Sequence, residues 1–203
     1  MSQIFYHDIF NLIALPLVVG SYLAFAIDNG TSIHINTHHL YTLTFLGYIV
    51  LDTIWIICVP KCVASFKVIL IHHFIVSIAL YLVYLNLEFA LISCHGVLIE
   101  VNTFFLIAKR IWKYKILNYL FYITWIIFRL GSISYLFCSL GLKLKNDTFN
   151  SIYPINSIEF LKEIYAIGIL VILTIILNIL NIKWTIDLFK NTFLKKADQK
   201  KYL

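Results

Sequence analysis

Six long apolar stretches alternate with short polar breaks along the chain. Stretches of roughly 20 residues are long enough to cross the hydrocarbon core of a bilayer as helices. Asp28-Asn29-Gly30, Pro60 and Lys109-Arg110 mark three of the breaks. The stretches are continuously apolar and lack the period-two alternation of membrane barrels. We therefore predict an all-α membrane protein, a six-transmembrane helical bundle with spans at 9–27, 40–59, 68–85, 89–108, 117–140 and 161–182.

The composition supports this prediction. Hydrophobic residues make up 61% of the 203 residues and charged residues 13%, whereas soluble domains have about 45–50% and about 25%. No linker divides the chain. We expect residues 1–39 to form the first transmembrane helix and a luminal loop, residues 40–182 the core of the bundle, and residues 183–203 a basic cytosolic tail. The spacing of the four cysteines suggests neither disulfides nor a zinc site.

The basic residues predict the orientation of the bundle. With a cytosolic N-terminus, twelve of the sixteen Lys and Arg residues fall in cytosolic segments, and only Lys143, Lys145 and Lys162 fall on the opposite face. An excess of Lys and Arg on the cytosolic side is the rule in membrane proteins. The glycosylation triplets that begin at Asn29 and Asn146 both fall in loops that this orientation makes luminal. Both termini are therefore predicted to be cytosolic.

Two features near the chain ends bear on targeting. Lys200-Lys201, four and three residues from the C-terminus, resemble a dilysine retrieval signal and predict an endoplasmic reticulum protein. A solvated Lys-rich tail explains the same residues equally well. Ala24-Phe25-Ala26 resembles a signal-peptide cleavage site, but the segment before the first apolar stretch contains no Lys or Arg. We therefore expect residues 1–26 to remain in the protein.

Five ionisable residues lie inside the predicted spans: Asp52, His72, His73, Glu100 and Arg129. A charged side chain at the centre of a span costs about 2.5–3.5 kcal/mol on insertion scales, so it tends to mark a functional site or an internal pair. Arg129 is expected to pair with Asp52 or Glu100. The two adjacent histidines point about 100° apart on a helix, so they cannot both be packing residues on one face. Together these residues predict a buried polar centre.

Helical periodicity adds polar residues to the same faces. Tyr48 and Thr44 lie one and two turns before Asp52, and Ser77 and Tyr81 follow His73 at the same spacing. The corresponding stripes on the fourth and fifth spans are Ser93, Gly96, Glu100 and Thr103, and then Tyr122, Trp125, Arg129 and Ser132. Polar groups that face lipid go unsatisfied, so each stripe is expected to face the interior. The sixth span offers only Thr174, Asn178 and Asn181, and the first span essentially nothing.

Three motifs occur in order between about residues 40 and 140. They are Asp52 with Trp55 followed by Ile69-Leu70-Ile71-His72-His73, then Glu100-Val101-Asn102-Thr103-Phe104-Phe105 with Arg110, and then Phe128-Arg129-Leu130-Gly131. The ordered set resembles the TLC domain family, which includes ceramide synthases, translocating-chain-associated membrane proteins and smaller lipid-regulating members. Ceramide synthases carry an acidic cluster before the Glu, whereas residues 94–99 here contain no Asp. The chain therefore looks more like the small, non-synthase branch.

This resemblance implies a membrane protein of lipid homeostasis that binds a lipid or acyl chain at the polar centre. The lipid-binding residues would be Tyr48, Ser77, Glu100, Asn102 and Arg129. The alternative is an acyl-CoA-dependent acyltransferase similar to ceramide synthase, with His72 and His73 as nucleophile or base and Asp52 orienting them. Membrane lipids are the expected partners, and acyl-CoA is the substrate of the alternative. No cofactor and no nucleic acid is implied, and the oligomeric state stays open.

A third function class is a di-iron lipid desaturase or hydroxylase. His34-x-x-x-His38-His39 looks like one histidine box, and His72-His73 would have to supply another. A di-iron site needs its histidines on one membrane face, and the predicted topology places these two groups on opposite faces. The chain has seven histidines in total. We therefore expect no metal site.

Overall fold

The structure is a computed structural model, and it describes residues 3–28, 35–63, 65–86, 89–150 and 158–190. These residues are almost entirely helical. In chain order the helices are α1 (Gln3–Asp28), α2 (Ile35–Cys58), α3 (Phe66–Leu85), α4 (Ala90–Trp112), α5 (Lys115–Thr124), α6 (Ser132–Asn150) and α7 (Ile158–Phe189). A 3₁₀ turn at Pro60–Cys62 lies between α2 and α3, and a π-helical segment at Trp125–Gly131 joins α5 to α6.

The distribution of side chains is that of a protein surrounded by lipid. Leu17 and Phe74 are both 67% exposed, while Asp52 and Arg129 are buried. Soluble proteins bury such apolar residues and expose such charges. Within the described ranges, five helices are long and apolar enough to cross a membrane: Gln3–Leu23, His39–Cys58, Phe66–Leu85, Lys115–Leu142 and Ile164–Phe189. The predicted all-α membrane bundle is confirmed.

The remaining predicted span, at 89–108, forms helix α4. This helix carries Glu100 and ends in Lys109 and Arg110, and it packs along α1. It ends at Lys113, whose φ of 52° is the left-handed conformation that closes many helices. The α4–α5 connection is therefore very short, and it holds the two helices side by side.

Two apolar cores hold the bundle together. One lies between α1, α2 and α4 and includes Leu15, Ile49 and Val97. The other contains Val83 from α3, Leu140 from α6, and Ala166, Ile167 and Leu170 from α7. The buried polar residues lie toward the end of the bundle where α2 connects to α3 and α4 to α5. We call this the basic end, because its residues include Lys61, Lys67, Lys109, Arg110, Lys113 and Lys115.

Two helices are longer than the hydropathy pattern predicts. Helix α1 begins at Gln3 rather than at residue 9, and α7 continues to Phe189 rather than ending at 182. Polar residues at these ends shortened the apolar stretches, although some of them, such as His7 and Asp8, are buried in the protein. The consequence is that His7 and Trp184 belong to the bundle.

Some residues of the predicted stripes do not face the interior. Thr44 is exposed, Tyr81 is 54% exposed and Tyr122 is 37% exposed. Each step of four residues turns an α-helix by about 40° more than a full turn, so a stripe drifts off its face within two steps. The residues nearest the ionisable groups stay buried, as Tyr48 does beside Asp52.

The π-helical segment changes the register of the helix that carries Arg129. A π turn contains one residue more than an α turn, and such bulges occur often at functional sites. Trp125 and Arg129, at either side of this segment, are both buried. The segment therefore directs a large aromatic ring and a guanidinium group to the same interior region.

Candidate functional site

The first polar cluster joins α1, α2 and α3 around the carboxylate of Asp52. His7 Nε2 lies 2.8 Å from Asp52 Oδ1, and Asn11 Nδ2 donates to the same oxygen at 3.1 Å. The Tyr48 hydroxyl donates to Asn11 Oδ1 at 2.6 Å, while His73 Nε2 lies 3.5 Å from Asp52 Oδ2. We call this the histidine–aspartate cluster, and its members are His7, Asn11, Tyr48, Asp52, Thr53 and His73.

Its hydrogen bonds restrict where the protons lie. The Thr53 hydroxyl donates its one hydrogen to the Ile49 carbonyl at 2.6 Å, so it accepts from His73 Nδ1 at 2.9 Å. Nε2 of a neutral His73 then has no proton and faces Asp52 Oδ2. The cluster thus holds its histidines and carboxylate as one hydrogen-bonded unit.

A second link ties α1 to α4 at the basic end. Arg110 Nη2 lies 2.5 Å from Asp8 Oδ1. The Asp8 side chain is 6% exposed and that of Arg110 41% exposed. This ion pair fixes the start of α1, and with it His7, against the end of α4.

The second polar cluster surrounds Arg129. Its guanidinium donates from Nε to Asn102 Oδ1 at 3.0 Å, from Nη1 to Asn181 Oδ1 at 3.3 Å and from Nη2 to Thr103 Oγ1 at 3.1 Å. The guanidinium carbon lies 5.1 Å from the ring of Trp125 and 5.0 Å from that of Trp184, a cation–π arrangement. We call this the arginine cluster, and its members are Asn102, Thr103, Trp125, Arg129, Asn181 and Trp184.

The ion pair predicted for Arg129 is wrong. In the part of the chain that the structure describes, the oxygens that accept from Arg129 belong to two amides and a hydroxyl, and no carboxylate bonds to it directly. Asp52 is held by the first cluster. Glu100 interacts with Thr103, and its interaction with Arg129 is electrostatic, without a direct hydrogen bond. Amide oxygens can accept hydrogen bonds from a guanidinium without adding a second buried charge. A prediction that considers only charged residues does not identify such partners.

Asn102 fixes the position of this cluster. It is fully buried, and its Nδ2 donates to the Phe121 carbonyl at 2.9 Å and to Thr124 Oγ1 at 3.0 Å. Its Oδ1 therefore points to Arg129, which can only donate. This amide connects α4 to α5 and to the π-helical segment, so the guanidinium is held from two sides.

A cavity of about 70 Å³ lies between α3, α4, α6 and α7. Its walls are mostly apolar, with Leu80, Val83 and Leu170 among them, and its polar lining residues are His72, Glu100 and Thr174. Because α3 lines it from His72 to Val83, the cavity extends about 16 Å along that helix. His72 and Glu100 lie at the end nearest the basic end. The result is an apolar slot with a polar head.

The adjacent histidines therefore belong to different sites. His73 is bonded within the histidine–aspartate cluster. His72 lines the cavity, and its ring lies 5.4 Å from that of Trp184. Its Nδ1 is buried and has no hydrogen-bond partner among the described residues. This separation agrees with the expectation that the two rings point about 100° apart and cannot both be packing residues on one face.

The predicted site residues divide between these regions, apart from Ser77. Asp52, His73 and Tyr48 lie in the first cluster, Asn102 and Arg129 in the second, and His72 and Glu100 on the cavity wall. Ser77 is half-buried and is not a lining residue of the cavity. The structure thus places Asp52 next to His73 but gives His72 no bond to it.

Seven residues of the two clusters were not predicted as site residues: His7, Asn11, Thr53, Thr103, Trp125, Asn181 and Trp184. His7 and Asn11 were overlooked because the first span was thought to offer nothing, although their spacing of four puts them on one face of α1. Asn181 and Trp184 lie near the predicted end of the last span, where they resembled a helix terminus. Their spacing of three is the signal that they share a face.

Thiol chemistry is not favoured at the basic end. Cys62 is 2% exposed, in the 3₁₀ turn between α2 and α3. Burial, and then the nearby carboxylate of Asp52, raise the pKa of its thiol. Because the thiolate is the reactive form, burial makes the Cys62 thiol a poor nucleophile.

Several predictions concern parts of the chain that lie outside the described residues. These are the triplet at Asn29, the first member of the histidine box at His34, and the dilysine pair Lys200-Lys201. The side chains of His38 and Asn146 are also outside them. Glycosylation, retrieval and the histidine box therefore stay predictions.

The fold and the buried centre define an α-helical, multi-pass membrane protein with a polar site inside the bilayer. A family model for the TLC domain matches residues 3–190, which include all seven helices and both clusters. The chain belongs to the TLC domain family, as its motifs predicted. No curated protein and no solved structure matches the chain significantly.

Proposed function

We propose that this TLC-domain protein binds a lipid or acyl chain in the cavity and acts in membrane lipid homeostasis. The observation that carries the proposal is the shape of the cavity: an apolar slot of about 70 Å³ with His72 and Glu100 at one end. Ligand sites are typically apolar pockets with a few polar groups that fix orientation. A hydrocarbon chain would fill the apolar part, and its head group would meet the polar residues.

The dimensions favour a single chain. A water molecule needs about 10–15 Å³ of cavity volume. The cavity of about 70 Å³ therefore holds about five groups of that size. It is elongated along α3 rather than round. This argues for one acyl chain, or part of one, rather than for a sterol or a two-chain lipid held entirely within the protein.

The orientation and location form part of the same proposal. The excess of Lys and Arg at the basic end supports a cytosolic position for it. The Lys200-Lys201 pair supports residence in the endoplasmic reticulum. A ligand would then have its head group near the cytosolic leaflet.

Acyl transfer from acyl-CoA is the second candidate. The observation in its favour is His72, whose buried ring nitrogen has no partner among the described residues and whose side chain lines the cavity. An imidazole in that position could accept a proton or attack a thioester. Asp52, however, bonds to His7 and lies beside His73, so it does not orient His72. Lipid binding without chemistry is therefore the first proposal.

The test uses two glycine variants that differ in where the new side chain goes. Gly96 lines the cavity, and its nearest neighbour for an added Cβ is Phe45 at 3.9 Å. Gly47 is exposed and has nothing within 4 Å. Gly96→Leu should fill the slot, whereas Gly47→Leu should change only the lipid-facing surface. Both substitutions replace a glycine within a helix, so their effects on helix propensity match.

The measurement is mass spectrometry of lipids that copurify with the full chain at matched abundance. We expect Gly96→Leu to reduce the bound lipid class by about tenfold or more, which corresponds to about 1.4 kcal/mol. Gly47→Leu should retain it. Equal lipid content in the two variants would overturn the proposal. A new lipid formed from added labelled acyl-CoA, and lost in His72→Phe, would establish acyl transfer instead.

A further inference from the structure

We propose that the arginine cluster recognises the anionic oxygen head group, a phosphate or a carboxylate, of a single-chain lipid whose tail lies in the cavity. This inference rests on the proposed lipid-binding function and adds the chemical class of the ligand. It arises from buried hydrogen-bond donors that have no acceptor among the described residues.

Arg129 is the first source of such donors. A guanidinium has five N–H donors, and the described residues accept three of them. Two N–H groups therefore have no partner in the described chain, although the side chain is only 8% exposed. A buried cation without a directly bonded anion is costly. An anionic ligand would remove that cost.

Asn181 is the second source. It is 1% exposed, and its Nδ2 has no partner among the described residues. Amide oxygen and nitrogen are easily interchanged in a structure, but here Arg129 decides the assignment. Because a guanidinium cannot accept, Oδ1 must face Arg129 and Nδ2 must point elsewhere. Two further N–H groups are thus buried beside the guanidinium.

His72 connects these donors to the cavity. Its ring packs edge-to-face on Trp184 at 5.4 Å, and Trp184 in turn lies 5.0 Å from the guanidinium carbon. Its buried Nδ1 is also without a partner in the described chain. A layer of two side chains, His72 and Trp184, therefore lies between the polar end of the slot and the guanidinium. A chain in the slot would bring its head group to this layer.

Glu100 gives the site its opposing charge. It lines the cavity and interacts with Thr103, which accepts from Arg129. A carboxylate at this position would weaken, without abolishing, the binding of an anion next to Arg129. Removal of the Glu100 charge should therefore strengthen anion binding. Changes to the donors beside Arg129 should weaken it.

The experiment measures the binding of radiolabelled octadecyl phosphate and octadecanol to the purified full chain in neutral detergent. The two probes have the same tail and differ in head-group charge. Charge-assisted hydrogen bonds are stronger than neutral ones, so the wild-type protein should bind the phosphate about tenfold or more tightly. Stearate should share this preference if a carboxylate also fits.

Asn181→Asp is the decisive variant. The substitution keeps the shape of the side chain and the oxygen acceptor that faces Arg129. It removes both Nδ2 donors and adds a negative charge that balances the charge of the guanidinium. We expect the preference for the phosphate to disappear through weaker phosphate binding, while the melting temperature does not fall. Glu100→Gln should shift the preference in the other direction, by several-fold, and it tests the inference even if Asn181→Asp fails to fold.

The outcomes separate this inference from the proposed function. Equal binding of the two probes by wild type, a phosphate preference that Asn181→Asp retains, or a preference that Glu100→Gln leaves unchanged or weakens overturns the head-group assignment and leaves lipid binding in place. Failure of both probes to bind overturns both proposals. Displacement of octadecyl phosphate by inorganic phosphate at similar concentration would assign a free-anion site and overturn the lipid source of the anion.

Discussion

The two polar clusters of this membrane protein differ in how completely their hydrogen bonds are satisfied. Around Asp52, two histidines, an amide, a phenol and a hydroxyl bond mainly to one another, and only His7 Nδ1 is without a partner in the described chain. Around Arg129, two guanidinium N–H groups and the Asn181 amide nitrogen remain. We call the first cluster closed and the second open, because the second retains buried donors without partners in the described chain, close to the cavity that His72 lines.

The difference indicates different roles for residues of the same chemical type. A satisfied network of buried polar groups rigidifies a protein and specifies its packing, which suits the junction of α1, α2 and α3. An unsatisfied one is costly unless a ligand completes it. His72 and His73 are adjacent in sequence, yet one lies in each environment. Their separation offers the most direct way to test the comparison.

The largest expected effect comes from the closed cluster. Asp52→Ala would leave the His7 and Asn11 donors without their shared acceptor and remove the partner of His73. We expect a loss of about 3–5 kcal/mol in the free energy of unfolding. Thermal unfolding of the purified protein in detergent, monitored by size-exclusion chromatography, measures this loss of stability.

Ile54→Ala is the control for this variant. Ile54 lies two residues from Asp52, is 52% exposed and faces lipid, so its truncation should cost less than about 1 kcal/mol. A loss for Asp52→Ala no larger than that of the control would mean that the first cluster does not stabilise the bundle.

A smaller effect separates the two histidines. His73→Phe removes the bond to Thr53 and places an apolar ring against Asp52, so we expect a cost of about 1–3 kcal/mol. His72→Phe keeps the ring packed on Trp184 and removes a buried nitrogen that has no partner in the described chain. It should leave the melting temperature unchanged or slightly higher.

Lipid binding should respond in the opposite order. His72→Phe should weaken the retention of a single-chain anionic lipid, while His73→Phe at a temperature where it remains folded should retain it. Radioligand binding and thermal unfolding of the same preparations give both quantities. Parallel losses of stability and binding in the two variants would contradict the division between a closed and an open cluster.

The sequence predicted the fold and the ionisable residues well, because both depend on local patterns. Apolar stretches of bilayer length identify helices, and Asp52, His72, Glu100 and Arg129 are conspicuous within them. The same hydropathy argument excluded His7, since polar residues at the start of an apolar stretch look like the end of a span. Whether such a residue faces solvent or another helix depends on tertiary packing.

The partners of Arg129 could not be predicted for a different reason. Opposite charges on neighbouring helices suggest an ion pair, but the pairing depends on the rotation of each helix. The π-helical segment at Trp125–Gly131 alters that rotation and has no evident signal in the sequence. The guanidinium consequently meets Asn102 and Asn181 rather than a carboxylate.

The smallest expected effect concerns the link between the helices that carry the two clusters. Asp8 on α1 and Arg110 on α4 form an ion pair at the basic end, where the Arg110 side chain is 41% exposed. In a double-mutant cycle of Asp8→Asn and Arg110→Gln, we expect a coupling energy of less than about 1 kcal/mol, because exposed pairs are screened by water and salt. Thermal unfolding of the four proteins at low and high salt measures this coupling. A value well above that, unaffected by salt, would mean that α1 and α4 move as one unit. The closed and open clusters would then be parts of a single site, and changes at Asp52 would alter lipid selectivity at Arg129.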